Sequence, residues 1–205
     1  MRSADECCQG IHMGQIIRNI LFWVVLLIYL PFHLPYVVLG ILFGFDAIFR
    51  SYSQTLSLIP CVIGNKLRGA FYYLTLEQCS REVTIEFGTF FVWRDCQIGR
   101  NVYIGASSII SYADIHDDTL IGSHVNILSG KQQHIFTDIN TPIRLQGRMR
   151  SKITIGEDCW LGNGAIVMAD VGKKSIVAAG SVVVKEAEPF SIVGGNPARL
   201  IRMRV

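Results

Sequence analysis

Residues 98–128 read IGRNVYIGASSIISYADIHDDTLIGSHVNIL, and their aliphatic residues recur every six positions. Ile98, Ile104 and Ile110 keep one phase; Ile115, Ile121 and Ile127 resume it after one residue is lost. Gly99, Gly105, Ser111 and Gly122 follow four of them, and the beat returns at Ile155-Gly156, Leu161-Gly162 and Val167. A helix repeats near 3.6 residues and a strand alternates at 2, so neither accounts for this period. It fits a short flat side followed by a bend. Three such sides close a triangular coil, and coils stack as parallel strands about 4.8 Å apart. The aliphatic residue then points into the triangle, and Gly or a small residue follows where the backbone turns. No coil buries its own apolar face, so its neighbours must, which is the logic of a solenoid. Ordinary short strands joined by Gly turns would be spaced irregularly.

A chain of 205 residues holds one domain plus an appendage. A net charge of +3 with no basic stripe argues against a nucleic-acid partner. The mean hydropathy of +0.37 is high for a soluble protein, and the excess lies near the N-terminus. Cys7, Cys8, Cys61, Cys79, Cys96 and Cys159 show no paired C-x-x-C spacing. They read as reduced thiols of a cytosolic compartment, not a disulfide frame or a zinc site.

Residues 1–15 read as a polar tail and 16–50 as an apolar membrane segment. No Asp, Glu, Lys or Arg occurs over residues 20–45. That run is long enough to cross a bilayer core, and it is too long, without a small-residue cleavage site, for an ordinary signal peptide. Pro31 and Pro35 are expected to divide it into two halves, each too short to span. The result is a kinked span or a hairpin dipping into one leaflet. Basic residues at both ends (Arg2 and Arg18; Arg50, Lys66 and Arg68) favour the hairpin. The bland reading is a buried helical hairpin in a soluble oligomer. Residues 51–82 read as interfacial or capping helices. A helix over about 60–79 would turn Lys66 and Arg68 toward anionic head groups, or cap the open end of the solenoid.

The solenoid is expected over 83–205. Its period fails over 131–152, KQQHIFTDINTPIRLQGRMRSK, and so long an excursion from a regular scaffold is usually functional. The beat resumes at Ile153. One coil is about two residues short near Lys173 and Lys174, and a tail over 186–205 leaves the solenoid as an extended, basic strip.

The hexads, the His-bearing loop, IGEDCWLGNGAIVMADV, AAGSVVVK and IVGGNPARLI, in that order, resemble the hexapeptide-repeat O-acetyltransferases. They are similar to the maltose, galactoside and xenobiotic branch and its polysaccharide-modifying relatives, over about residues 83–203. The resemblance implies a mainly β fold: a left-handed parallel β-helix of hexapeptide repeats, here with an N-terminal α-helical membrane-associated region. It also implies a homotrimer and acetyl-CoA as acyl donor, with no metal.

His134 is the candidate general base. Transfer from a thioester to a hydroxyl needs a group that takes the hydroxyl proton, and imidazole titrates near working pH. Asp138, Glu157 or a backbone carbonyl is open as the group holding its other nitrogen. Asn126, Trp160 and Asp138 are candidate acceptor contacts, and the resemblance places Trp160 beside the cleft where donor and acceptor meet. It also implies that Gly162, Ala179 and Gly180 admit pantetheine to backbone groups, while Lys185 and Arg199 bind the CoA phosphates. His116 and His124 read as surface residues. Arg202 and Arg204 are open to CoA or to lipid.

A soluble sugar would not need an anchored enzyme, whereas a lipid-linked glycan would. The favoured function is therefore O-acetylation of a bacterial surface-polysaccharide precursor. It would occur at the inner membrane, with residues 16–50 in lipid and the active site facing the cytosol. The alternative acceptor is a small soluble sugar, amino sugar or xenobiotic. A γ-type carbonic anhydrase would bind zinc through three histidines, but the close H-x-x-x-x-H pair of that family is missing. A non-catalytic membrane scaffold would need none of His134, Trp160, Lys185 and Arg199.

Overall fold

The computed structural model describes residues 4–204, with side chains described from residue 19. The polar tail expected over 1–15, with Cys7 and Cys8, falls outside the described side chains.

Six turns of parallel solenoid form a three-faced prism. The first face stacks β1 (Gln78–Cys79), β4 (Gln97–Ile98), β7 (Ala113–Ile115) and β10 (Ile153–Ile155). Bridges at Val171 and Ala187 continue it. The second face stacks β2 (Thr84–Ile85), β5 (Tyr103–Ile104), β8 (Leu120–Ile121), β11 (Trp160–Leu161), β13 (Ile176–Val177) and β15 (Ser191–Gly195). The third stacks β3 (Phe90–Phe91), β6 (Ile109–Ile110), β9 (Asn126–Ile127), β12 (Ile166–Val167) and β14 (Val182–Val183). The second residue of each two-residue rung points inward. Ile85, Ile98, Ile104, Ile110, Ile121 and Ile127 are all fully buried, each stabilising the prism by about 1.5–3 kcal/mol relative to exposure.

The glycine that follows an aliphatic residue is there for a different reason from the one expected. A Cβ on Gly105 would lie 2.6 Å from backbone atoms of Gly122 and Ser123 in the next coil, so the constraint is close approach between rungs. The positive φ of the bend falls two residues later, at Asn101, Ser107, Asp118, His124, Asp158 and Lys174. Buried hydroxyls satisfy the backbone at one corner: Thr89 donates to the Gly105 carbonyl (2.7 Å) and Ser108 to that of Gly122 (3.1 Å).

Three boundaries differ from expectation. The solenoid starts at Gln78, where buried Cys79 holds the inward position and pairs with Ile98. The short interval precedes Val171 instead of following it. Val171 bridges to Ile155 and Val177 pairs with Leu161, so residues 171–177 make a regular side; the corner from Val167 to Val171 is tight, as is the matching one from Val183 to Ala187. The tail supplies a further rung before it leaves: β15 pairs parallel with β13, then β16 (Ala198–Met203) returns antiparallel to β15.

Three helices close the N-terminal end: α1 (Ala4–Phe43), α2 (Phe45–Ser57) and α3 (Cys61–Thr75). Pro31 and Pro35 do not divide the apolar segment; both lie inside α1. Each removes one i→i−4 hydrogen bond, but both are exposed while Phe22, Leu26, Tyr29 and Tyr36 make a buried stripe along the helix. Packing of that stripe overrides propensity. Phe22 meets Tyr73 edge-on at 5.1 Å, and Tyr36 meets Phe71 at 5.5 Å and Tyr52 at 5.4 Å. The chain reverses at Gly44, whose φ of 90° suits glycine. Asn19–Phe43 is long and apolar enough to cross a membrane, with mean hydropathy 2.1.

Arg68 does not reach head groups. It is fully buried. Its Nε donates to the Ile85 carbonyl (2.9 Å), its Nη1 to those of Leu56 (3.0 Å) and Ile59 (2.8 Å), and its Nη2 to Asn65. One guanidinium thus ties the end of α2 and the start of α3 to the first coil.

Candidate functional site

The excursion leaves the third face after Gly130 and rejoins the first at Ile153. Its base is closed by the Ser151 amide donating to the Ser129 carbonyl at 3.0 Å. Its two legs bond to each other, Ile135 to Gly147 and Met149 to Gln133, each at 3.3 Å. His134 sits between the two residues that make those bonds, and its side chain is exposed. The backbone thereby fixes the base of the imidazole while leaving the ring open to solvent.

Asp138 organises the loop. Its carboxylate accepts from the Asn140 amide (2.8 Å) and the Thr141 hydroxyl (2.6 Å), and these contacts hold its pKa below the usual carboxylate range. The Gln146 amide accepts from Asp138 N–H (3.0 Å) and donates to the carbonyls of Asp138 and Thr141 (2.6 Å each). Among the described residues, no hydrogen bond joins His134 to Asp138 or Glu157. Gln146 was not foreseen as a loop organiser. The signal that existed is the D-x-N-T run at 138–141, an Asx-turn pattern.

The return leg is pinned twice. Arg150 stacks on the Trp93 ring at 4.2 Å. Lys152 pairs with Asp114 (2.7 Å) and Glu77 (3.0 Å). Burial opposes the Lys152 charge, but these two partners outweigh it and raise its pKa.

The remaining candidates fall into two groups. Gly162, Ala179 and Gly180 lie together along the edge between the second and third faces: a Cβ on Gly162 would sit 2.5 Å from Ala179 N, and Gly180 N donates to the Asn163 carbonyl at 2.9 Å. Trp160 flanks this edge on the second face, half exposed, and Asn126 flanks it on the third. Lys185 and Arg199 line one cleft of about 270 Å³ at the C-terminal end of the prism, with Glu186 and Glu188. The loop rises from a different edge, between the third and first faces.

His116 and His124 are exposed at separate corners. Among the described residues, no three His, Cys, Asp or Glu side chains converge as a metal set. Burial pushes the Cys79 and Cys96 thiols up to about 12, which leaves them inert as nucleophiles at neutral pH.

Comparison with known proteins gives three kinds of match. The family model described as the hexapeptide repeat of succinyl-transferase matches residues 152–185. A galactoside O-acetyltransferase of Escherichia coli K12 is 34% identical over 112 residues, 51% of this chain and 52% of that one. A chloramphenicol acetyltransferase of Agrobacterium fabrum is 46% identical over 52 residues, 24% of this chain and 25% of that one. The chain spans about half the length of the longest-matching curated relatives and less of the others. Among solved structures, a hexapeptide-repeat acetyltransferase of Vibrio cholerae complexed with acetyl coenzyme A superposes with a TM-score of 0.67. It is 23% identical, with 81% of this chain and 92% of that one covered.

Proposed function

We propose that the chain belongs to the hexapeptide-repeat acetyltransferase family and is an acetyl-CoA-dependent O-acyltransferase. It works as a homotrimer on a membrane surface and acetylates a sugar hydroxyl of a lipid-linked glycan precursor. The observation that carries the reading is the exposed imidazole of His134, held at a set height by the paired legs of the loop.

In the reaction, the His134 imidazole takes the acceptor hydroxyl proton as the oxygen attacks the thioester carbonyl. The ester C–O bond forms, the C–S bond breaks, and the departing CoA sulfur takes the proton back from the imidazolium. Lys185 and Arg199 bind the CoA phosphates. Gly162, Ala179 and Gly180 admit the pantetheine arm, and Trp160 walls the acceptor side with Asn126. The loop exposes Phe136, Ile139, Ile143, Leu145 and Met149, an apolar surface that a neighbouring copy would cover. That contact would carry His134 to the partner subunit's Trp160 edge.

The membrane reading is supported by α1. Outside its buried stripe it exposes Ile20, Leu27, Ile28, Leu34, Ile41 and Leu42, too much apolar surface for water. Because the stripe packs on α2 and α3 over residues 22–36, a helical platform seated in one leaflet suits the structure better than a lone span. A soluble acceptor is the second reading, favoured by the galactoside and chloramphenicol relatives.

The test is acetyl transfer from labelled acetyl-CoA into a membrane lipid extract and into soluble sugars. His134→Ala should lower transfer about 10²–10⁴-fold with acetyl-CoA affinity unchanged. Unaltered turnover would remove the proposed base. Label in soluble sugars only would replace the acceptor class.

A further inference from the structure

A second recess lies at the opposite end of the prism from Lys185 and Arg199. Its larger part, about 350 Å³, is enclosed by Asn19 and Phe22 of α1, Lys66 of α3 and the turns at 81–84 and 101–103. A smaller part of about 130 Å³ continues along α3 and shares Phe22, Lys66 and Arg81. Among the described residues, two cations, Lys66 and Arg81, face one enclosure against one carboxylate, Glu82. Among the described residues, neither cation makes a salt bridge. The nearby Glu86 is held by the Asn65 amide at 3.0 Å. Asn19, Thr84 and Tyr103 add neutral donors to the lining. Cations with amide and hydroxyl donors around them suit phosphate oxygens.

Two neighbouring features say what the phosphate would be attached to. On one side α1 exposes Ile20, Trp23 and Leu27, a track for hydrocarbon. On the other, the second face carries an outward ladder in which Thr84 pairs with Tyr103, Tyr103 with Leu120, and Leu120 with Trp160. At about 4.8 Å per rung, Tyr103 stands roughly 10 Å from Trp160, about the reach of a sugar residue or two.

We propose that this recess binds the phosphate of a lipid-linked acceptor, with the hydrocarbon along α1 and the sugar laid down the ladder toward Trp160. The proposal rests on the lipid-linked acceptor of the preceding section, and its binding test needs no turnover. Full-length protein in neutral detergent micelles is titrated calorimetrically with farnesyl diphosphate, with pyrophosphate and farnesol as controls. Farnesyl diphosphate should bind at least fivefold tighter than either control. Lys66→Gln/Arg81→Gln should weaken it at least fivefold and leave acetyl-CoA affinity unchanged. A smaller effect of the substitutions overturns the proposal. So does pyrophosphate binding within fivefold of farnesyl diphosphate, which marks a free-anion site, or farnesol within fivefold, which marks an apolar groove. Arg81→Gln alone, at an exposed position, serves should the double variant fail to fold. If the parent protein does not bind acetyl-CoA, the transferase reading falls, while the diphosphate titration still decides whether the recess takes a lipid phosphate.

Discussion

The guanidinium of Arg150 lies 4.2 Å from the centroid of the Trp93 ring, which Arg50 of α2 also approaches at 4.9 Å. The ring therefore joins the return leg of the His134 loop to the helical cap. Each such contact is worth about 0.5–1 kcal/mol at an exposed site. Trp93→Ala should speed amide exchange over residues 147–152 and lower acetyl transfer several-fold, with acetyl-CoA affinity unaltered. Exchange equal to the parent protein's would show that the ring does not hold the leg.

Arg68 is a structural latch, so its removal should act on stability. Arg68→Met strands the carbonyls of Ile59 and Ile85, while that of Leu56 keeps the Ile59 amide, at about 1–3 kcal/mol for each group left unpaired. A total near 3 kcal/mol corresponds to roughly 6–12 °C in Tm for a chain of this size. Arg68→Lys should not restore it, since one ammonium lacks the fork geometry. A thermal scan showing a loss below 2 °C for Arg68→Met would refute the latch.

Two glycines separate close approach from backbone conformation. Gly105→Ala would drive a Cβ to 2.6 Å from the next coil and should cost more than 2 kcal/mol, in line with other overpacked sites. Gly164 has φ 70° and open space around it, so Gly164→Ala should cost only the left-handed backbone penalty of about 1–2 kcal/mol. Urea unfolding of both variants checks the order; the reverse order would contradict the inter-rung packing.

The Lys152 strap should be acid-sensitive. Hydrogen bonds from Lys152 and Gln97 hold the Glu77 pKa below its ordinary value. A depressed folded-state pKa gives stability that is complete above the unfolded value near 4.3 and is lost as pH falls through the folded value. Between pH 6 and 3 the melting temperature of the parent protein should fall further than that of Glu77→Gln. Parallel curves would exclude Glu77 as a contributor.

How far the sequence was legible follows from which residues mark the period. Ile98, Ile104, Ile121 and Leu161 announce their rungs because an aliphatic side chain and a following glycine occur together. The first rung was missed because Cys79 holds its inward position, and free cysteine packs as a small hydrophobe without looking like a repeat. The tight corner before Val171 was misplaced because only the pairing with Ile155 shows which valine points inward. The excursion and His134 stood out where the period broke. What holds the loop did not, since Gln146 reaches Asp138 across a stretch with no periodicity. Arg68 was misread because helical spacing gives an angular position but not the element that will cover it.

A stack of parallel rungs has no intrinsic length: the last turn offers the next chain the same unpaired amides and carbonyls that it offered its own predecessor. Here α2 and α3 sit over the first turn, and β16 runs backward along the last rung of the second face, where register with another copy would require a forward strand. Such stoppers are how open strand edges are kept from recruiting more protein. Clipping the chain after Gly195 would uncover that edge while the helices still cover the other end, so copies should pair through it and stop at two.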